Sequence, residues 1–121
     1  MKLKFLFSTL FAALLVVQPC LSNHADGEAT PRRIEVTAKR FTFTPGDITL
    51  KKGEPVALVL TSEDVPHGLR FKELGVEIKA AKGRTTEATF TPEKTGDFVG
   101  HCSVFCGSGH GGMTLTLHVV E

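Results

Sequence analysis

Apolar and polar residues alternate along most of the chain beyond residue 32, and this alternation limits the possible folds more than any other feature. Ile34, Val36 and Ala38 alternate with polar residues, and Phe41 and Phe43 continue the run. Further short runs lie at residues 48–50, 56–60, 68–71, 76–80, 85–90, 97–100 and 114–120. Because Gly- and Pro-containing turns separate them, the pattern predicts about seven or eight strands in an all-β sandwich or barrel.

The core of this domain must be built from aliphatic side chains and phenylalanine, because the sequence contains no Trp and no Tyr. One run, Val-Ala-Leu-Val-Leu at residues 56–60, is apolar at every position. A strand of that composition has no polar face to turn toward solvent. We therefore expect it to be buried on both sides.

The N-terminal segment has a different character from the rest of the chain. Lys2 and Lys4 precede an apolar run from Phe5 to Val17, and small residues follow the run. This is the pattern of a secretory signal peptide. The run is shorter than the roughly 20 residues that span a bilayer as a helix. We expect a signal peptide over residues 1–22, with a retained membrane anchor as the alternative.

A polar, aperiodic linker at residues 23–32 and a single domain at residues 33–121 complete the organisation expected from the sequence. The mature chain is then periplasmic or secreted. Cys20 follows the apolar run and could be lipidated, but Pro19 stands where such processing needs a small residue. We expect Cys20 to be removed, and membrane attachment only if Cys20 is lipidated or the signal segment is retained.

The charge balance excludes some classes of partner. The formal net charge of the whole chain is +1, and no block of like charges is present. Such a chain does not carry the basic patch that nucleic-acid binding requires. The sequence shows no recognisable set of catalytic acid, base and nucleophile and indicates no substrate pocket, so we do not expect this chain to be an enzyme by itself.

One glycine-rich segment contains four residues with soft or borderline ligand atoms, at spacings of four, four and three. These are Cys102, Cys106, His110 and Met113. Thiolate and thioether sulfur favour Cu(I), and imidazole suits both copper oxidation states. Thioether is not a usual zinc ligand, and calcium and magnesium prefer oxygen. Since glycine lets the backbone turn tightly around a small ion, the segment predicts a copper site in a loop between two strands.

A further ligand is expected from His67, which follows a strongly apolar strand. A mononuclear blue-copper site uses two His, one Cys and a weak axial Met. That set could be supplied by His67, Cys106, His110 and Met113, which would leave Cys102 unused. Because an unused thiol beside copper would be a liability, Cys102 favours a dinuclear site, with a mononuclear site as the fallback.

Two interpretations without copper stay open for the cysteine pair. The first is a Cys102–Cys106 disulfide, which is common in oxidising compartments but gives no role to His110 and Met113. The second is a redox pair of the thioredoxin type. That motif has two residues between its cysteines and a βαβ context, whereas three residues intervene here and no helix is expected.

With these residues, the chain resembles the cupredoxin superfamily. More narrowly, it resembles the copper-A domain of cytochrome c oxidase subunit II and of the C-terminal part of nitrous-oxide reductase. The resemblance covers roughly residues 33–121 and rests on two segments. They are Asp64-Val65-Pro66-His67-Gly68 and Cys102-Ser103-Val104-Phe105-Cys106-Gly107 with His110 and Met113. It implies an all-β, Greek-key β-sandwich.

The resemblance also implies a role for each ligand. Cys102 and Cys106 would bridge two copper ions through their thiolates. His67 and Met113 would complete the ligands of one copper. The other copper would be completed by His110 and the backbone carbonyl of Val104. The pair would be a mixed-valence centre in which both metals share one transferable electron.

Some features depart from the oxidase pattern. Val104 stands where oxidases usually have an acidic residue, so a side-chain contact to magnesium is lost. The tryptophan used for electron entry is absent, as is the pair of N-terminal membrane helices. These departures favour a role outside an ordinary oxidase subunit. We expect His101 to lie at the surface or behind the ligands, and His118 to face solvent.

Three functions are compatible with this sequence. The first is electron transfer by a periplasmic or secreted copper protein, with a c-type cytochrome or a cuproenzyme as redox partner. The second is copper storage or delivery to another protein. The third is a role as a detached subunit-II-like component of a cytochrome c oxidase or nitrous-oxide reductase system.

Overall fold

Nine β-strands and two short 3-10 helices make up residues 30–121, the part of the chain that this computed structural model describes. The strands are β1 (Arg32–Lys39), β2 (Thr42–Thr44), β3 (Asp47–Lys51), β4 (Val56–Ser62), β5 (His67–Phe71), β6 (Val76–Ala80), β7 (Thr85–Phe90), β8 (Gly96–His101) and β9 (Thr114–Val120). The 3-10 helices are Lys72–Leu74 and His110–Gly112.

The strands form two sheets that pack face to face. One sheet has the order β2-β1-β4-β7, and the other has the order β3-β9-β8-β5-β6. The pairs β1–β4 and β3–β9 are parallel, whereas the other neighbours are antiparallel. Because strands that are distant in sequence pair in this way, the chain crosses between the sheets. The prediction of an all-β, Greek-key sandwich is confirmed.

The strand β4 is buried on both faces, as its composition predicts. Leu58 and Leu60 point into the core and have no exposed surface, and Val59 on the opposite face is only 2% exposed. Long side chains from the two neighbouring strands cover that outer face. Arg33 on β1 and Glu87 on β7 form an ion pair of 2.9 Å across β4. Their aliphatic stems therefore shield apolar surface while their charged ends stay in water.

The first two strands differ from the sequence-based expectation. The alternating run was expected to continue through Phe41 and Phe43, but β1 ends at Lys39 and a turn precedes β2. At the other end, β1 begins at Arg32, the last residue of the linker predicted at 23–32. Its amide N–H donates to the Pro55 carbonyl at 2.9 Å, which adds Arg32 to the sheet.

The predicted signal peptide at residues 1–22 and the linker up to residue 29 lie outside the described residues, as does Cys20. Among residues 30–121, no helix has the length and apolar character needed to cross a membrane.

His118 lies on the outer face of the five-stranded sheet, where it joins three strands. Its Nδ1 atom is 2.6 Å from Asp97 Oδ1 on β8, and its Nε2 atom is 2.9 Å from Asp47 Oδ1 on β3. The side chain is 37% exposed, so it is only partly solvent-facing. The Asp47 carboxylate, followed by Asp97, raises the pKa of His118 above its ordinary value.

This arrangement predicts that His118→Gln destabilises the protein in a pH-dependent manner. The raised pKa means that protonated His118 favours the folded state. Its contribution is complete below the unfolded-state pKa of roughly 6.5 and is lost as pH rises through the folded-state pKa. Urea unfolding of wild type and variant across pH 5–9 measures the difference. The double variant Asp47→Asn/Asp97→Asn should show a weaker dependence of stability on pH. If His118→Gln lowered the stability equally at every pH, the prediction would be wrong.

Candidate metal centre

The segment between β4 and β5 is folded so that His67 points into the protein. The hydroxyl of Ser62 donates to the Val65 carbonyl, and the Val65 amide donates to Asp64 Oδ1 at 2.8 Å. Pro66 then restricts the backbone before β5 begins. As the first residue of β5, His67 has no exposed surface. Local hydrogen bonds therefore place a titratable side chain inside the sandwich.

The two ring nitrogens of His67 have different partners. Nε2 lies 2.7 Å from Asp64 Oδ1, whereas Nδ1 faces the Cys102 sulfur at 3.9 Å. The backbone N–H of Arg40 donates to Asp64 Oδ2 at 2.8 Å. This bond, followed by the one from His67, holds the pKa of Asp64 well below its usual range. An ionised Asp64 keeps the proton on Nε2, which leaves the Nδ1 lone pair free to bind a metal.

The glycine-rich loop runs from the end of β8 to the start of β9. The Cys102 amide donates to the Met113 carbonyl at 3.0 Å and closes the base of the loop. The Ser103 amide donates to the Gly68 carbonyl at 3.2 Å, which joins the loop to β5. A Cβ atom on Gly68 would lie only 2.1 Å from the Ser103 oxygen. Glycine at position 68 therefore allows the loop to approach β5.

All six predicted ligands come together in this region. The two cysteine sulfurs are 3.6 Å apart. Cys102 Sγ also lies 3.1 Å from the Val104 carbonyl oxygen. Cys106 Sγ lies 3.7 Å from His110 Nδ1 and 3.8 Å from Met113 Sδ. Ligand atoms of His67, Cys102 and Cys106 all lie within 4.8 Å of one another.

The two cysteines are free thiols. Their separation of 3.6 Å exceeds the S–S bond length of about 2.05 Å, so the disulfide interpretation does not describe this structure. Burial, followed by the neighbouring Cys102 thiol, raises the pKa of the Cys106 thiol to about 11. A metal that binds Cys106 must therefore displace a proton.

The candidate centre is buried on one side and reaches the surface on the other. His67 and Met113 are completely buried, and Cys102 and Cys106 are nearly so. His110 and Val104 are half-buried. Phe105 is 78% exposed, and its ring lies 5.6 Å from the His110 ring. His101 is exposed on β8, and neither it nor His118 belongs to the cluster.

Sequence reasoning missed the contribution of the corner between β1 and β2. There the Arg40 Nε atom donates to the Cys106 carbonyl at 2.8 Å. The Phe41 ring packs so closely beneath the loop that a Cβ atom on Gly109 would lie 2.5 Å from it. The sequence pattern marks Asp64 only as part of the segment that precedes His67. Its position three residues before His67 is the one local signal that could have identified it as a partner of the histidine.

Asp64→Asn is expected to weaken metal binding by about 10- to 100-fold, the usual effect of removing a residue that orients a ligating histidine. The neutral amide would no longer favour the proton on Nε2 of His67. Copper affinity measured by competition with a chelator tests this effect.

Glu63→Gln is the matched control, because it removes a carboxylate from the exposed residue next to Asp64. Equal affinities for the Asp64→Asn and Glu63→Gln variants would show that Asp64 does not orient His67.

Comparison with known families decides where this chain belongs. A family model described as a cupredoxin-like domain matches residues 9–115. The chain is a member of the cupredoxin-like family. The two-sheet architecture described above is in accordance with this membership.

Solved structures similar to this cupredoxin include chains of cytochrome oxidases and auracyanins. The periplasmic domain of cytochrome oxidase subunit II from Bradyrhizobium japonicum is 26% identical, with a TM-score of 0.69, 74% of this chain covered and 84% of the other. A chain of a heme-copper terminal oxidase dimer is also 26% identical, with a TM-score of 0.67. The match covers 88% of this chain and 76% of the other. Auracyanin from Roseiflexus castenholzii is 15% identical, with a TM-score of 0.61 and coverage of 77% and 100%, which shows the fold alone.

The donor set of this cupredoxin fits copper. Two thiols, two imidazoles and a thioether converge, and this combination of soft and borderline ligands suits copper better than zinc or the hard cations. The cupredoxin fold, together with the cluster of His67, Cys102 and Cys106, supports copper binding.

Proposed function

We propose that this chain is an electron-transfer protein of the periplasm or extracellular space with a dinuclear copper-A-type centre. One observation carries the proposal. Two free, buried thiols lie 3.6 Å apart, and each has one imidazole within 3.9 Å. A mononuclear site would need only one of these thiols. The similarity to periplasmic subunit II domains supports both the type of centre and the location.

We divide these contacts into two sets, one for each metal position, as the resemblance to copper-A domains implies. His67 Nδ1 lies beside the Cys102 sulfur, and Met113 Sδ lies beside the Cys106 sulfur. These two would complete the first position. The Val104 carbonyl also lies beside Cys102, and His110 Nδ1 lies beside Cys106. These would complete the second position. Each metal would thus gain one additional ligand next to each sulfur.

The scaffold suits electron transfer because burial and hydrogen bonds within the protein hold these ligands in place. When bound, the copper pair would supply a one-electron redox change. Burial of His67, Met113 and both cysteines excludes water, and the hydrogen bonds of Asp64 and Cys102 limit movement of the ligands. A preorganised site needs little rearrangement when its charge changes.

A redox partner would approach the exposed side of the site. Phe105 and His110 form the part of the cluster that reaches solvent. A c-type cytochrome or a cuproenzyme is the proposed partner class. We do not assign catalysis to this chain alone. The second candidate function is a role as an oxidase component, favoured by the similarity to a cytochrome oxidase subunit II domain and to a chain of a heme-copper oxidase dimer.

Copper delivery is a further candidate, favoured by the half-buried position of His110. This ligand lies on a short 3-10 helix flanked by glycine, so the metal could leave from that side. Repeated oxidation and reduction separates the two functions. A carrier keeps its copper through the cycles and in the presence of a metal-free copper acceptor. Transfer of most of the copper to the acceptor would contradict the carrier function.

A further inference from the structure

Arg40 is a single residue that contacts both segments of the candidate centre. Its backbone N–H donates to Asp64 Oδ2 at 2.8 Å, and Asp64 in turn binds His67. Its side-chain Nε donates to the Cys106 carbonyl at 2.8 Å. Arg40 thus connects the His67 segment to the cysteine loop, although 66 residues separate it from Cys106 in sequence.

The side chain of Arg40 also brings a positive charge to the candidate centre. A guanidinium group stays protonated in proteins. Its Nε donates to the carbonyl of a residue whose sulfur would bind both metals, so the charge lies close to the centre. Among the described hydrogen bonds to ligand residues, Asp64 supplies the other carboxylate or guanidinium partner, and its charge is negative. Within the part of the chain that the structure describes, Arg40 is therefore the one Lys or Arg side chain that hydrogen-bonds to the ligand loop.

We propose that Arg40 is a positioning residue of the copper centre that fixes the Cys106 loop and raises the reduction potential. This inference rests on the proposed function. Reduction lowers the positive charge of a copper centre, so a nearby fixed cation favours the reduced form. The hydrogen bond to Cys106 separately restrains the loop that supplies Cys106, His110 and Met113.

Three measurements on the full domain test the two parts of this proposal. Arg40→Gln removes both the positive charge and the Nε donor that binds the Cys106 carbonyl. Arg40→Lys removes the Nε donor but keeps the positive charge. We expect both variants to bind copper about 10-fold less tightly. We expect faster hydrogen exchange of the loop amides of His110 and Met113, which donate within the loop. Only Arg40→Gln should lower the reduction potential substantially.

Arg33→Gln is the matched control. Arg33 is an exposed arginine near the other end of β1, and its ion pairs are with Glu35 and Glu87. This variant loses the same charge and should keep wild-type copper affinity, loop exchange and potential. Because Arg40 is also exposed, its variants are expected to fold, and circular dichroism checks this directly.

The possible results separate the inference from the proposed function. Wild-type exchange, affinity and potential in Arg40→Gln would overturn the inference. An equal fall in potential for Arg40→Lys and Arg40→Gln would overturn the charge component. Faster loop exchange in metal-free Arg40→Gln would support the positioning role even if the wild-type domain bound only one copper ion, a result that would refute the dinuclear centre alone.

Discussion

Cys102→Ser is expected to reduce the copper content of the domain from two ions to one per chain. Cys102 is the thiol that a mononuclear centre does not need. Its loss would leave Cys106 in contact with His110 and Met113, with His67 close by. Two His, one Cys and one Met are the ligands of a blue-copper centre. The absorption and EPR spectra should therefore change from a two-copper to a single-copper type.

Cys106→Ser provides the contrast to this prediction. The Cys106 sulfur contacts the Cys102 sulfur, His110 Nδ1 and Met113 Sδ, so it connects most of the ligand set. We expect its replacement to abolish nearly all copper binding. If Cys102→Ser kept the wild-type stoichiometry and spectrum, the bridging role of Cys102 would be wrong.

Gly109→Ala is expected to displace the ligand loop, with a loss of about 1–3 kcal/mol of stability and at least ~10-fold weaker copper binding. The new methyl group would lie 2.5 Å from the Phe41 ring, which is closer than two carbon atoms can approach. Either the Phe41 ring or the loop must move. Movement of the loop would displace His110, which directly follows Gly109 in the sequence. Thermal unfolding and chelator competition measure the two effects.

The same loop contains a matched control for this substitution. A Cβ atom on Gly111 would have no atom within 4 Å outside its immediate neighbours, so Gly111→Ala should retain stability and copper affinity. Phe41→Leu should partly restore binding in the Gly109→Ala background, because a smaller side chain makes room for the methyl group. Identical behaviour of the Gly109→Ala and Gly111→Ala variants would show that contact with Phe41 does not position the loop.

Much of the sheet architecture could be predicted because alternation is a local property. The runs at 76–80, 85–90 and 114–120 coincide with β6, β7 and β9. The break between β1 and β2 could not be predicted in this way. Neither Gly nor Pro marks the turn at Arg40 and Phe41, so the apolar pattern continues through it.

The candidate ligands could be predicted from the sequence for a different reason. Apart from binding a metal, sulfur and imidazole side chains at short spacing share few roles. Four such residues lie on one loop, namely Cys102, Cys106, His110 and Met113. The residues that hold this loop were not identifiable. Arg40 and Phe41 act on it through contacts across more than 60 residues of sequence, which no local pattern records. Tertiary structure, rather than sequence spacing, reveals how the site is supported.

The copper-to-protein ratio of the loaded wild-type domain, measured together with its EPR spectrum, tests the dinuclear centre most directly. The contacts around Cys102 and Cys106 lead us to expect two copper ions per chain. The oxidised form should show one unpaired electron shared between two copper nuclei. One copper ion per chain, with the signal of a single copper nucleus, would contradict the proposed centre.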